Sequence, residues 1–119
     1  MSPKTSIKTM KILFLIASIA LTGCATNMPT PPAQITGAYV SPLKYESVDC
    51  PALANELASL SRRENALVSA QGQRIKTSET QAFWYGYGTG DGVEAAELAN
   101  VRGEREAVIT AMGKQACKQ

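Results

Sequence analysis

Hydrophobic residues fall into three blocks along the chain, and each block predicts its own element. An unbroken apolar or small stretch occupies residues 12–21, and the basic residues Lys4, Lys8 and Lys11 precede it. Two later segments carry apolar residues at the period of an α-helix, with polar residues between them. The pattern therefore predicts an N-terminal targeting segment followed by two amphipathic helices.

Asp49 or Cys50 is expected to cap the start of the first predicted helix. Pro51 then falls in the first turn, where its missing N–H costs nothing. The helix carries a narrow apolar stripe like that of a coiled-coil pair, formed by Leu53, Leu57, Leu60 and Leu67. Glu64 fills one heptad position within this stripe. The stripe weakens after Gly72, so we expect the helix to fray or bend there.

A glycine-rich segment separates the two helices. Residues 83–92 contain four glycines in their last seven positions, which predicts a loop. Asp91 is expected to cap the second helix, with Glu94 completing a pair that resembles a capping box. The second helix is predicted over residues 93–117. Arg105 interrupts its apolar stripe with a charge opposite to that of the acidic residue in the first stripe.

Two of the three cysteines test this arrangement. Cys50 stands at the start of the first helix and Cys117 at the end of the second, so an antiparallel hairpin brings their thiols together. Closing a loop of this length is worth about 4 kcal/mol by loop entropy, and such bonds persist in oxidising compartments. The sequence thus predicts an all-α fold, an antiparallel two-helix hairpin closed by a Cys50–Cys117 disulfide. The alternative is a redox pair or metal ligation by the two cysteines.

The chain before residue 24 is typical of a secretory signal, because a basic stretch and a short apolar run precede small residues. Ten apolar residues are too few to cross about 30 Å of hydrocarbon as a helix, which argues against a signal anchor. Leu21-Thr22-Gly23-Cys24 resembles the lipobox that bacterial lipoprotein signal peptidase recognises. The resemblance implies cleavage between Gly23 and Cys24 and lipidation of Cys24. The acyl chains would anchor the protein to a membrane.

These features divide the chain into three parts: a lipoprotein signal peptide at 1–23, a lipidated N-terminus and flexible tether at 24–37, and a helical hairpin domain at 38–119. Residues 24–37 are rich in proline and have little to bury, so we expect an extended, disordered tether. Residues 38–49 are expected to lie extended against the helices through Tyr39, Leu43 and Tyr45.

Two motifs resemble those of a family of small bacterial lipoproteins. Residues 39–45 and Cys50 match the pattern Y-[VI]-S-P-x-x-Y-x-x-x-x-C. The second pattern, E-L-A-x-x-[KR]-G-E-x-x-A before a last Cys, is matched by Glu97-Leu98-Ala99, Gly103-Glu104 and Cys117. The resemblance implies the fold and the compartment rather than an activity. Members carry an apolar Gly/Phe/Trp-rich stretch between the helices, which is shorter and more polar here.

Localisation follows from the residue after the lipidated cysteine. In Gram-negative lipoproteins an aspartate at that position favours retention in the inner membrane. Ala25 occupies that position here, which resembles the sorting signal of outer-membrane lipoproteins and implies a location on the periplasmic face of the outer membrane.

Composition excludes most catalytic and metal chemistry. The chain has no histidine, so Ser-His-Asp and Cys-His catalysis and most zinc sites are impossible. The net charge is only +2, and the three leader lysines account for that excess, so nucleic acid is not an expected partner. Since no nucleophile–base pair, carboxylate dyad or metal cluster is evident, we predict no catalytic residue, no metal and no cofactor.

An aromatic cluster, formed by Phe83, Trp84, Tyr85 and Tyr87, exceeds what the hairpin can bury at its tip. Aromatic residues concentrate at protein interfaces and at membrane–water boundaries, but these rings could also fold back over the helices as a plug. Exposed rings favour a structural or interaction role with an unknown envelope protein partner. Rings that close a polar pocket favour a periplasmic binding module for a small ligand or cell-wall fragment.

Overall fold

The computed structural model of the chain describes residues 26–118. The predicted signal peptide, its cleavage after Gly23 and the lipidation of Cys24 lie outside the described residues. Helix α1 spans Cys50–Tyr85 and helix α2 spans Val93–Lys114. They pack against each other as an antiparallel pair, which confirms the predicted all-α hairpin. Neither helix is long and apolar enough to cross a membrane.

Helix α1 begins as the sequence predicts. The side chain of Asp49 accepts a hydrogen bond from the amide of Ala52 at 3.3 Å, and Pro51 lies in the first turn. The fraying predicted after Gly72 is wrong, because α1 continues past that residue to Tyr85 and is 36 residues long in all. A single glycine costs only about 1 kcal/mol, which the packing along both halves of α1 outweighs. The predicted loop therefore begins later, and three of the four aromatic residues lie in the last turn of α1.

The half of α1 near the disulfide packs through an apolar seam. Its buried leucines contact apolar residues of α2, and the two sets form one continuous core. The buried members of this seam are Leu53, Leu60, Leu67, Leu98, Val101, Val108 and Met112. Each apolar side chain of this size contributes about 1.5–3 kcal/mol when it is fully buried.

The other half of α1 has a polar seam, which explains why the leucine stripe stops. Gln71 and Ser78 are fully buried at the same helical face. Two extended segments cover them there, residues 26–30 and 87–91, and backbone groups of these segments need hydrogen-bond partners. The hydroxyl of Ser78 accepts from the amide of Thr89 at 2.8 Å.

Residues 26–37 are bound to the hairpin, so the predicted flexible tether is wrong for this segment. The guanidinium of Arg102 donates to the carbonyl oxygens of Pro32, at 2.6 Å, and of Ile35. Ile35 is buried in the core, and the amide of Ala38 donates to the carbonyl of Ala99 at 2.8 Å. The segment docks because α2 supplies the donors and acceptors that its backbone needs.

The predicted docking of residues 38–49 through three side chains is correct only for Tyr45. That ring is buried, and its hydroxyl donates to Glu104 at 3.1 Å, whereas Tyr39 and Leu43 are exposed. The reason is a 3₁₀ turn at Pro42–Tyr45, which directs Tyr45 toward α2. A first 3₁₀ turn lies at Pro32–Gln34.

The ends of α2 differ from the prediction, but the disulfide is confirmed. The N-cap of α2 is Gly92, without a side-chain hydrogen bond, because Asp91 turns instead toward the N-terminal segment. Helix α2 ends at Lys114, and the chain then carries Cys117 back to Cys50. The Cα atoms of the two cysteines are 5.6 Å apart.

Candidate functional site

Four exposed aromatic residues form one end of the molecule, which we name the aromatic tip: Phe83, Trp84, Tyr85 and Tyr87. Their exposed fractions lie between 52% and 79%. The rings contact each other in pairs, with centroids 5.1 Å apart in the edge-to-face pair of Phe83 and Trp84 and 6.5 Å apart for the two tyrosines. The alternative that they fold back over the helices as a plug is therefore wrong.

The aromatic tip extends beyond the two-helix part of the fold. Arg74 of α1 donates to Glu94 in the first turn of α2, at 3.1 and 3.2 Å, which marks where α2 begins beside α1. Trp84 follows Arg74 by ten residues, so it lies about 15 Å farther along the helix axis. Gly86 then ends α1 in a left-handed conformation with φ 80°, which glycine adopts without strain, and the chain turns back.

The N-terminal segment reaches the aromatic tip. Thr26 forms a parallel bridge with Tyr87, and the amide of Gly88 donates to the carbonyl of Thr26 at 2.9 Å. The next residue of the N-terminal segment is bound in the same way, because the carbonyl of Asn27 accepts from the amide of Gly90 at 2.8 Å. The first described residues of the chain and the aromatic tip therefore lie at the same end of the hairpin.

Asp91 holds this N-terminal segment in place. Its carboxylate accepts hydrogen bonds from the hydroxyl of Thr30 at 2.6 Å, from the amide of Thr30 at 2.7 Å and from the side chain of Gln71 at 2.8 Å. These bonds, first those from the hydroxyl and amide of Thr30, lower the pKa of Asp91. From the sequence, Asp91 was predicted to cap the second helix. Its contact with Thr30 was missed, because the two residues are 61 positions apart in the chain.

A second cluster of charges joins the two helices near their middle. Glu64 accepts from Arg102 at 2.8 Å and also pairs with Arg105, as the opposite charges in the two predicted stripes suggested. Burial alone would raise the pKa of Glu64, but the hydrogen bonds and charges of the two arginines together lower it. Arg102 occupies the [KR] position of the second motif but was assigned no role from the sequence. In the structure it links α1, α2 and the N-terminal segment.

Among the grooves on the surface of residues 26–118 are three shallow ones, and the aromatic tip lines none of these three. One of about 310 Å³ lies beside Arg74 and Glu94, and one of about 230 Å³ lies beside Arg63 and Glu97. The third, about 340 Å³ and mostly apolar, lies between Leu57 and its neighbours on α1 and the end of α2. In residues 26–118, no group of three or more His, Cys, Asp or Glu side chains is placed to hold a metal ion.

Comparison with protein-family profiles, with curated proteins and with solved structures found no match for this chain.

Proposed function

We propose that this protein is a lipid-anchored component of a bacterial cell envelope that acts by contact, through its aromatic tip, and not by catalysis. The observation that carries the proposal is the exposure of four adjacent aromatic rings at one end of a disulfide-closed hairpin. Exposed apolar patches of this kind mark surfaces that bind another macromolecule or a membrane.

The sequence before the hairpin supports the anchoring. Leu21-Thr22-Gly23-Cys24 follows a basic and apolar leader, and Ala25 resembles an outer-membrane address. The disulfide uses the other two cysteines of the chain, so Cys24 alone remains for lipidation. A structural disulfide is typical of a protein that folds outside the cytoplasm, which agrees with export.

The charged groups of the hairpin support a role without catalysis. Three carboxylates have a lowered pKa, Glu64, Asp91 and Glu94, and each accepts hydrogen bonds from other side chains of the protein. These contacts hold the helices and the N-terminal segment together. A catalytic acid or base needs instead a pKa near the working pH and a free path to its substrate.

The binding-module alternative requires aromatic rings that close over a polar pocket. The rings of the aromatic tip are exposed and line none of the three grooves described above. The geometry therefore favours an interaction surface over a ligand pocket.

Anchoring is tested by expressing the full chain in a Gram-negative host supplied with a labelled fatty acid. The wild-type protein is expected to carry the label and to fractionate with the outer membrane, whereas Cys24→Ser is expected to remain unlabelled and unprocessed. The matched control is the double variant Cys50→Ser/Cys117→Ser, which should still be labelled. Equal labelling of Cys24→Ser and wild type would exclude the proposed lipidation.

Contact through the aromatic tip is tested by photo-crosslinking in cells. A photoreactive amino acid replaces Trp84 in one variant and Ile109, an exposed position on α2, in the control. Adducts are expected at position 84 and not at position 109. If the two positions give equal adducts, or none, the aromatic tip is not the contact surface.

A further inference from the structure

We propose that the aromatic tip lies in the interface of the same membrane leaflet that holds the acyl chains of Cys24. The hairpin would then stand on the bilayer through two adjacent contacts, the lipid and the rings. The inference rests on the proposed lipidation of Cys24, and it names the lipid surface as the partner of the aromatic tip.

The first argument is the length of chain between the lipid and the rings. Thr26 is paired with Tyr87 at the aromatic tip, and Cys24 precedes Thr26 by two residues. Two residues span at most about 7 Å when fully extended. An acyl group on Cys24 would therefore be joined within about 7 Å of the backbone of Thr26, and the bilayer surface would lie close to the aromatic tip.

The second argument is that the N-terminal segment cannot act as a spacer. It is fixed by the amides of Gly88 and Gly90, by the carboxylate of Asp91 and by the guanidinium of Arg102. Residues 26–38 run along the hairpin from the aromatic tip toward α2, so they do not add reach between lipid and domain. Lifting the domain off the membrane would break these hydrogen bonds together.

The third argument is the chemistry of the surface itself. Tryptophan and tyrosine are enriched at the level of the lipid headgroups, where an apolar ring and a polar group are both accommodated. Residues 80–90 carry no charge, and the nearest charged residues before them, Glu79 and Lys76, have opposite signs. The aromatic tip thus suits the interface of a bilayer without a requirement for anionic lipid.

The opposite end of the hairpin lies far from this surface. Cys50 and Trp84 are 34 residues apart on one helix, which corresponds to about 50 Å along its axis. If the aromatic tip contacts the leaflet, the disulfide end projects away from the membrane. A protein partner at the aromatic tip would instead have to fit between the rings and the bilayer to which Cys24 is joined.

Trp84 is the only tryptophan of the chain, so its fluorescence reports on the aromatic tip directly. The lipoprotein is purified from membranes of cells that express the full chain and is reconstituted into phosphatidylcholine vesicles. Emission is expected to shift to the blue relative to the urea-unfolded protein and to be quenched by lipids brominated near the headgroup. Quenching by aqueous iodide is expected to be several-fold weaker than for an exposed tryptophan.

The matched control is the double variant Trp84→Phe/Ile109→Trp, which moves the single tryptophan away from the aromatic tip. Ile109 lies beyond Arg105 on α2, and Arg105 pairs with Glu64, which is twenty residues or about 30 Å along α1 from Trp84. The relocated tryptophan is expected to be quenched strongly by iodide and not by brominated lipid. High salt is expected to leave both results unchanged.

Mass analysis of the N-terminal peptide separates the two proposals. An unacylated Cys24 would reject the proposed function itself, whatever the fluorescence shows. With Cys24 acylated, a Trp84 that iodide quenches as strongly as the relocated tryptophan would overturn the membrane contact and leave the anchoring intact. Protein adducts at position 84 in cells, together with an exposed Trp84 in pure lipid vesicles, would identify a protein partner and would also overturn the inference.

Discussion

The carbonyl oxygen of Ala38 lies so close to Gly103 that a Cβ built on this glycine would stand 1.8 Å from the oxygen. This close approach lets the N-terminal segment dock on α2, where the amide of Ala38 donates to Ala99 at 2.8 Å. The position of the N-terminal segment, and with it the position of Thr26 relative to the rings, depends on the missing side chain at residue 103.

We therefore expect Gly103→Ala to destabilise the protein by about 1–3 kcal/mol, because the added methyl group must displace the backbone of the segment. The control is Gly113→Ala in the same helix, where no other part of the protein lies within 4 Å of the added methyl group, and this change should stabilise by about 0.5–1 kcal/mol. Urea unfolding followed by circular dichroism measures both. Equal stability of the two variants would contradict the close approach.

Replacement of Trp84 by alanine should leave folding nearly unchanged, because the side chain is exposed and lies outside the core. Leu98→Ala is the contrasting variant, since Leu98 is fully buried, and it should cost about 2–5 kcal/mol. Thermal unfolding of the two proteins checks this difference. A large loss of stability in Trp84→Ala would show that the ring belongs to the core.

The Cys50–Cys117 disulfide should contribute about 4 kcal/mol, because it closes a loop with a sequence separation of 67 residues. We expect reduction, or the double variant Cys50→Ser/Cys117→Ser, to lower the melting temperature strongly. Thiol titration of the unfolded protein before and after reduction confirms the state of the cysteines. A melting temperature that does not change on reduction would mean that the packing alone holds the hairpin.

The pairing of Glu64 with two arginines should be lost at acid pH. Its folded-state pKa lies below the ordinary value of 4.5, so its contribution is fully present above about pH 4.5 and disappears as the pH falls through the folded-state pKa. Glu64→Gln should cost about 1–3 kcal/mol at neutral pH and flatten the acid limb of the stability profile. Glu97→Gln, which removes an exposed pair with Arg63 at 3.5 Å, should cost less than about 1 kcal/mol at neutral pH.

The contact between Asp91 and Thr30 should be measurable as a coupling energy. Asp91→Asn and Thr30→Val each remove hydrogen bonds of the contact, and hydrogen bonds to charged groups contribute about 1.5–3 kcal/mol. A double-mutant cycle is expected to give a clear positive coupling, and Asp91→Asn should speed amide exchange in residues 26–38. Additive effects of the two substitutions would mean that the segment is held by its other contacts.

The start of α1, the apolar seam and the disulfide were determined by the sequence alone. A cap residue before Pro51 and leucines at helical spacing act within a few residues, so they are visible without a structure. Cys50 lies at the start of the first helix and Cys117 near the end of the second. In an antiparallel hairpin these two positions are adjacent, so the pairing follows once the helices are placed. The aromatic residues were recognisable as an excess over what a small hairpin can bury.

Only the tertiary structure decided that the N-terminal segment is bound to the hairpin and that its first described residue, Thr26, lies beside Tyr87 of the aromatic tip. Arg102 donates to a carbonyl 70 residues earlier, and Asp91 accepts from Thr30 across 61 residues. An extended segment rich in proline has no hydrophobic period, and its stability comes from donors and acceptors on distant elements. In the sequence, Gln71 and Ser78 interrupt the apolar stripe of α1. In the structure they are buried, because they form hydrogen bonds with residues on other segments, Thr30 and Thr89.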